Sequence, residues 1–217
     1  MSKIIFSNHS HKEIRNFYPN TKQFLNIIIY IQLFVLFISF FFVKNDFTLA
    51  GAWMGKFAIY VFWLIALAGI LQRFRVKGFL KKVQNVLLPN RRQLGILMFV
   101  LSFTHYSWSK GFSIISNGIP SSLPLFQIFG FLALVLSFPL LITSNNYSVK
   151  KLGKMWKVLH RLVYPIMFLL VLHTAMQGRG FQILELNFGI DYTLSYALPS
   201  LIILILQITS HFYAKKR

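Results

Sequence analysis

Two histidines inside one apolar run constrain this chain more than any other feature. The stretch Leu152–Met176 reads LGKMWKVLHRLVYPIMFLLVLHTAM, basic at its start and apolar from Val158, with His160 and His173 within it. A helix of that length is long enough to cross a bilayer. Ionisable side chains are costly in hydrocarbon and by default mark a functional site. A third histidine, His105, lies in an earlier apolar run, SFTHYSW. Three such imidazoles without an intramembrane carboxylate point to metal or haem ligation rather than a proton relay.

Composition sets the class. Of the 217 residues 56% are apolar and only 12% charged, where a soluble domain carries roughly 25% charged residues. The chain therefore reads as an all-α integral membrane protein, with the lipid bilayer as its solvent. The net charge of +19 does not make it a nucleic-acid binder, because the basic residues cluster between long apolar runs, as a topology signal does. Cysteine is absent, which excludes disulfides, cysteine-ligated iron–sulfur clusters and c-type haem attachment.

The apolar runs predict a six-transmembrane-helix bundle, with spans over Phe24–Val43, Gly51–Leu71, from Leu94 through His105, Leu125–Thr143, the His160/His173 stretch, and Leu194–Phe212. Pro165 is tolerable in the fifth span because neighbouring helices can satisfy the carbonyl it frees. Gly111–Pro124 and Gln177–Thr193 read as loops. Six spans put both termini on one side, and on that side the segments hold 19 of the 23 Lys and Arg residues. The positive-inside rule then makes both termini cytoplasmic. The domain reading is a tail over residues 1–23, a transmembrane domain over 24–213 and a basic end over 214–217. Neither an internal repeat nor a soluble domain is visible.

Depth pairs two of the histidines. His105 lies 13 residues beyond Arg92, or roughly 20 Å along a helix. His173 lies 16 residues beyond Lys157, or roughly 24 Å. Both fall in the outer half of the bilayer at similar depth, so two neutral imidazoles could ligate a haem iron from opposite faces. The alternative is a hydrogen bond from each to a nearby hydroxyl, with Ser102, Thr104 and Thr174 at hand. His160 belongs near the cytoplasmic side. Arg91 lies 14 residues before His105 on nearly the same face, suited to a haem propionate or flavin phosphate, or simply to setting topology. His9 and His11 read as part of a solvated tail, and His211 as an interfacial anchor.

The blocks RRQLGILMFVLSFTHYSW (Arg91–Trp108) and LGKMWKVLHRLVYPIMFLLVLH (Leu152–His173), with LITSNN before the second, resemble the ferric-reductase-like transmembrane domain. Within it they are most similar to the MsrQ, or YedZ, family, the haem-binding membrane subunit of the bacterial methionine sulfoxide reductase system. The resemblance implies a b-type haem protein of the bacterial inner membrane, an electron-transfer subunit rather than a complete enzyme. It implies His105 and His173 as haem ligands, His160 as a further haem-binding residue and Arg91 as the family's arginine before the first histidine. FMN also comes with the family, its site not placed here. The implied partners are a quinol or a cytoplasmic flavin reductase as donor and a periplasmic molybdopterin methionine sulfoxide reductase subunit as acceptor. Two features depart from the pattern: TAM follows His173, and the Gly111–Pro124 segment has IPSSLP where a basic stretch is usual.

No GxGxxG follows a strand–helix pattern, so the chain has no NAD(P)H site of its own. The residues leave open whether one haem or two is bound. A ferric or cupric metalloreductase of the same fold, and a haem-free transporter or scaffold, are the competing readings.

Overall fold

The computed structural model describes residues 8–118, 120, 122–177, 180–183 and 186–215, with the backbone alone at 8–19, 180–183, 186–189 and 214–215. The chain forms helices α1 (Asn8–Ser39), α2 (Thr48–Arg73), α3 (Gly78–Leu87), α4 (Arg91–Tyr106), α5 (Phe112–Asn117) and α6 (Leu125–Ile142). These are followed by α7 (Asn146–Leu152), α8 (Lys154–Leu159), α9 (Val163–Ala175), α10 (Ile190–Tyr192) and α11 (Leu198–Lys215). The one sheet among the described residues is a hairpin, β1 (Gly180–Ile183) antiparallel to β2 (Leu186–Gly189), with Phe181 opposite Phe188.

Among the described residues five helical segments are long and apolar enough to cross a membrane: Asn20–Phe42, Thr48–Arg73, Leu125–Ile142, Lys154–Ala175 and Ile190–Tyr213. Each lies within a few residues of a run read from the sequence. The remaining run sits in α4, which passes through a π-helical segment, Ser107–Gly111, into α5. Its second half carries Thr104, His105, Ser107, Ser109 and Lys110 and is too polar to join those five.

The polar N-terminal segment is helical from Asn8. Two local expectations are corrected. The chain beyond Gly111 stays helical to Asn117 because the π-helical turn hands the helix on. The Gln177–Thr193 segment holds the hairpin and then turns helical at Ile190. Pro165 follows a 3-10 turn at His160–Leu162, where the continuous span Lys154–Ala175 departs from α-helical hydrogen bonding, so the α-helical ladder is already interrupted next to the residue that cannot donate.

Helices α2 and α4 pack as one pair and α6 and α9 as another; α4 meets α6, α1 covers α4, and α11 closes against α2 and α9. The core between the pairs is Phe62, Ala66, Ala133, Ile166, Met167 and Leu204, with Met167 fully buried. Large apolar side chains such as Phe34, Phe138, Phe168 and Ile205 point outward, as lipid-facing residues do. Lipid offers no hydrophobic drive for helix association, so polar contacts between helices matter more. Trp63 Nε1 donates to Ser200 Oγ at 2.9 Å, Trp108 Nε1 to Ser39 Oγ at 2.8 Å and Gln32 Nε2 to Thr104 Oγ1 at 3.2 Å.

Candidate functional site

A cavity of about 570 Å³ opens where the two helix pairs meet, a size typical of cofactor and ligand sites. Gly55, His105, Tyr106, Phe126, Gly130, Phe131, His173 and Gln177 are among its lining residues. The lining is mostly apolar, and its nitrogen-bearing side chains are the two imidazoles with Lys56, Lys110, Gln127 and Gln177.

His105, at the end of α4, and His173, in the last turn of α9, enter this cavity from different pairs. Their ring centroids are 6.3 Å apart and their planes cross at 70°. His105 Nδ1 lies 2.8 Å from Gly51 O on α2, and His173 Nδ1 lies 2.6 Å from Phe126 O on α6. A carbonyl oxygen accepts and cannot donate, so each ring carries its proton on Nδ1 and keeps a lone pair on Nε2. Metal-binding histidines are commonly held this way, the far nitrogen tied to a carbonyl and the near one left basic. Gln177 Nε2 donates to His173 Nε2 at 2.8 Å.

Two of the three hydroxyl partners weighed from the sequence are engaged elsewhere. Thr104 and Thr174 donate to carbonyls of their own helices, at Val100 and Leu170. Ser109 Oγ, one turn beyond His105, is the nearest hydroxyl, 3.4 Å from Nδ1.

His160 and Arg91 do not line this cavity. The His160 ring lies 3.9 Å from the Trp156 ring, and its Nε2 is buried without a hydrogen-bond partner. Such a nitrogen is costly unless something fills the gap. Arg91 lies within electrostatic range of His160, Arg73 and Tyr164. Arg73 is held by α11, with NH1 donating to Gln207 Oε1 and, at 3.2 Å, to Ser210 Oγ. The structure thus brings His105 and His173 together and keeps His160 with Arg91 at a second place. His211 is exposed near the end of α11 beside Phe212, and the side chains of His9 and His11 lie outside the described residues.

Among the described residues no three of His, Cys, Asp and Glu converge on one point. A site built from protein ligands alone would need three or four of them. Two imidazoles on one cavity instead suit an ion whose other positions are filled by a macrocycle. If each ring ligates through a metal–nitrogen bond of about 2 Å, with its centroid roughly 1 Å behind the nitrogen, the centroids stand about 6 Å apart. The observed spacing agrees.

The sequence reading missed Gly51, Gly55 and Gly130. A Cβ at Gly51 would come within 2.6 Å of Ser109 Oγ, one at Gly55 within 2.9 Å of His105 Nδ1, and one at Gly130 within 2.7 Å of His173 Nδ1. Gly51 and Gly55 form a GxxxG spacing, which marks close helix approach in membranes and could have drawn attention to them.

Residues 54–171, more than half the chain, match the family described as ferric reductase like transmembrane component. The matched segment runs from α2 into α9 and stops just before His173. Two similar curated proteins are each named protein-methionine-sulfoxide reductase heme-binding subunit MsrQ. The one from Brucella ovis is 36% identical over 85 residues, covering 36% of this chain and 37% of the relative. The one from Brucella anthropi is 37% identical over 84 residues, with the same two coverages, 36% and 37%. The chain thus spans a little over a third of the length of these relatives. No solved structure matches it.

Proposed function

For a chain that belongs to the ferric reductase like transmembrane component family, we propose a haem b membrane subunit in which His105 and His173 hold the haem and which carries electrons across the bilayer. The single observation that carries this reading is the pair of Nδ1-anchored imidazoles 6.3 Å apart on one cavity. The residues fit the group in three respects: the donor set is two neutral imidazoles, the cavity is apolar and of suitable volume, and glycines cradle both rings. Bound there, a haem supplies a one-electron carrier whose potential follows its axial ligands and surroundings. The protein's part is to fix both rings through Gly51 O and Phe126 O, to exclude water with apolar walls, and to present Nε2 inward.

The unpartnered His160 Nε2 supports this residue as the ligand of a second haem. Arg91, within electrostatic range of it, suits an anionic group, a haem propionate or the phosphate of FMN. The arrangement in the membrane is six spans with α4–α5 as the third, both termini cytoplasmic, in a bacterial inner membrane. Inward-facing polar side chains around His105 account for the low apolarity of that helix. The names of the Brucella relatives support a methionine sulfoxide reductase system as the setting. The electron donor is then a quinol or a cytoplasmic flavin reductase, and the acceptor a periplasmic molybdopterin subunit.

Purified protein tests the reading through its dithionite-reduced minus oxidised spectrum. A b-type α-band supports the haem subunit. Its absence after haem supplementation overturns it in favour of a haem-free scaffold. Reduction of ferric or cupric salts without any partner would favour a metalloreductase instead.

A further inference from the structure

We propose that Gly55 and Gly130 are positioning residues, each holding open the one approach by which a histidine Nδ1–H reaches a carbonyl on the facing helix. The inference rests on the reading of His105 and His173 as ligands, and it concerns what sets their orientation.

The same device occurs twice. His105 Nδ1 donates to Gly51 O, and Gly55 stands four residues further along α2; His173 Nδ1 donates to Phe126 O, and Gly130 stands four residues further along α6. In a helix the carbonyl of residue i already accepts the N–H of i+4, so a second donor must come in beside the i+4 residue and use the remaining lone pair. A side chain at i+4 would stand in its way. A Cβ at Gly55 would lie 2.9 Å from His105 Nδ1 and one at Gly130 2.7 Å from His173 Nδ1, both closer than real Cβ contacts come.

Other glycines in the bundle lack this relation. At Gly69, also on α2, a Cβ would meet its nearest atom at 3.5 Å, and at Gly95, on α4, it would meet nothing within 4 Å. Glycine is a poorer helix former than alanine, so its presence at these two places asks for a reason. The reason is the tautomer. With Nδ1–H pinned to a carbonyl, Nε2 keeps its lone pair, faces a fixed direction and gains basicity as a ligand.

The test compares Gly55→Ala and Gly130→Ala with Gly95→Ala as control, in two measurements. The first is 15N NMR of histidine-labelled, haem-free protein at a pH where the rings are neutral. Wild type and Gly95→Ala should show His105 and His173 protonated at Nδ1; each of the other variants should lose that state at its own histidine. The second is haem titration, in which those two variants should bind 10- to 100-fold more weakly than wild type, and Gly95→Ala equally well.

Nδ1 unprotonated in the wild type, or variants that keep both the wild-type tautomer and affinity, would overturn the inference. If a single variant does not fold, the double variant Gly130→Ala/His173→Ala (or Gly55→Ala/His105→Ala) removes the ring the new methyl would meet. Recovery of folding supports the inference, and continued failure overturns it. Wild-type protein that shows the tautomers but takes up no haem would sink the haem reading and leave the positioning role standing.

Discussion

The His105 and His173 rings stand 6.3 Å apart, yet each is held by a helix other than its own, at Gly51 O of α2 and Phe126 O of α6. Four helices therefore fix two imidazoles. A site whose ligands are oriented by the fold itself requires little rearrangement when its ligand arrives.

One contact within the site opposes ligation. Gln177 Nε2–H occupies the His173 Nε2 lone pair at 2.8 Å, and a metal must displace it. A hydrogen bond of this kind is worth about 1 kcal/mol net, so Gln177→Leu should tighten haem binding roughly fivefold. Competitive haem titration of haem-free protein checks this. Weaker binding in the variant would mean that Gln177 supports the bound group instead of competing with it.

Gln207 ties α11 to α2 through two groups at once. Its Oε1 accepts from Arg73, and its Nε2 donates to Ala66 O at 2.9 Å, with the residue itself 3% exposed. Gln207→Leu leaves a guanidinium and a carbonyl short of partners, at a cost of about 1–3 kcal/mol. Ser200→Ala, which removes only the acceptor for Trp63, should cost about 0.6 kcal/mol, the mean for such contacts in membranes. Denaturation midpoints in one detergent would give the order, and equal losses would contradict the network as described.

The sequence made the spans legible because runs of about 20 apolar residues have few other uses. Depth-matching alone paired His105 with His173, and the structure brings the two together. It could not name their hydrogen-bond partners, since any backbone carbonyl can accept and Gly51 and Phe126 carry no special signature as acceptors. Arg73 carries no signal that separates it from the basic residues that follow, Arg75 and Lys77, yet its long side chain reaches Gln207 and Ser210. Gly111–Asn117 read as loop from its glycine and serines, whereas the π-helical turn before it keeps the backbone helical.

Outside the membrane, Asp46 Oδ1 accepts the Thr48 N–H at 2.8 Å at the start of α2, and the Thr48 hydrogen bonds hold its carboxyl below the ordinary carboxylate value. A depressed folded-state pKa stabilises the fold above the unfolded value, near 4, and that contribution is lost as pH falls through the folded value. The Thr48 amide should therefore exchange faster, relative to its intrinsic rate, as the carboxylate is protonated. Asp46→Asn should flatten this dependence. The same acid-linked loss of protection in Asp46→Asn would assign it to another group.

The central claim is that His105 and His173 hold one haem between them. Haem per polypeptide by the pyridine haemochromogen assay, on wild type, His105→Ala, His173→Ala and His160→Ala, tests it most directly. The account predicts the same loss of haem in the first two variants, with His160→Ala keeping the haem that they lose. Full wild-type haem content in both His105→Ala and His173→Ala would contradict it.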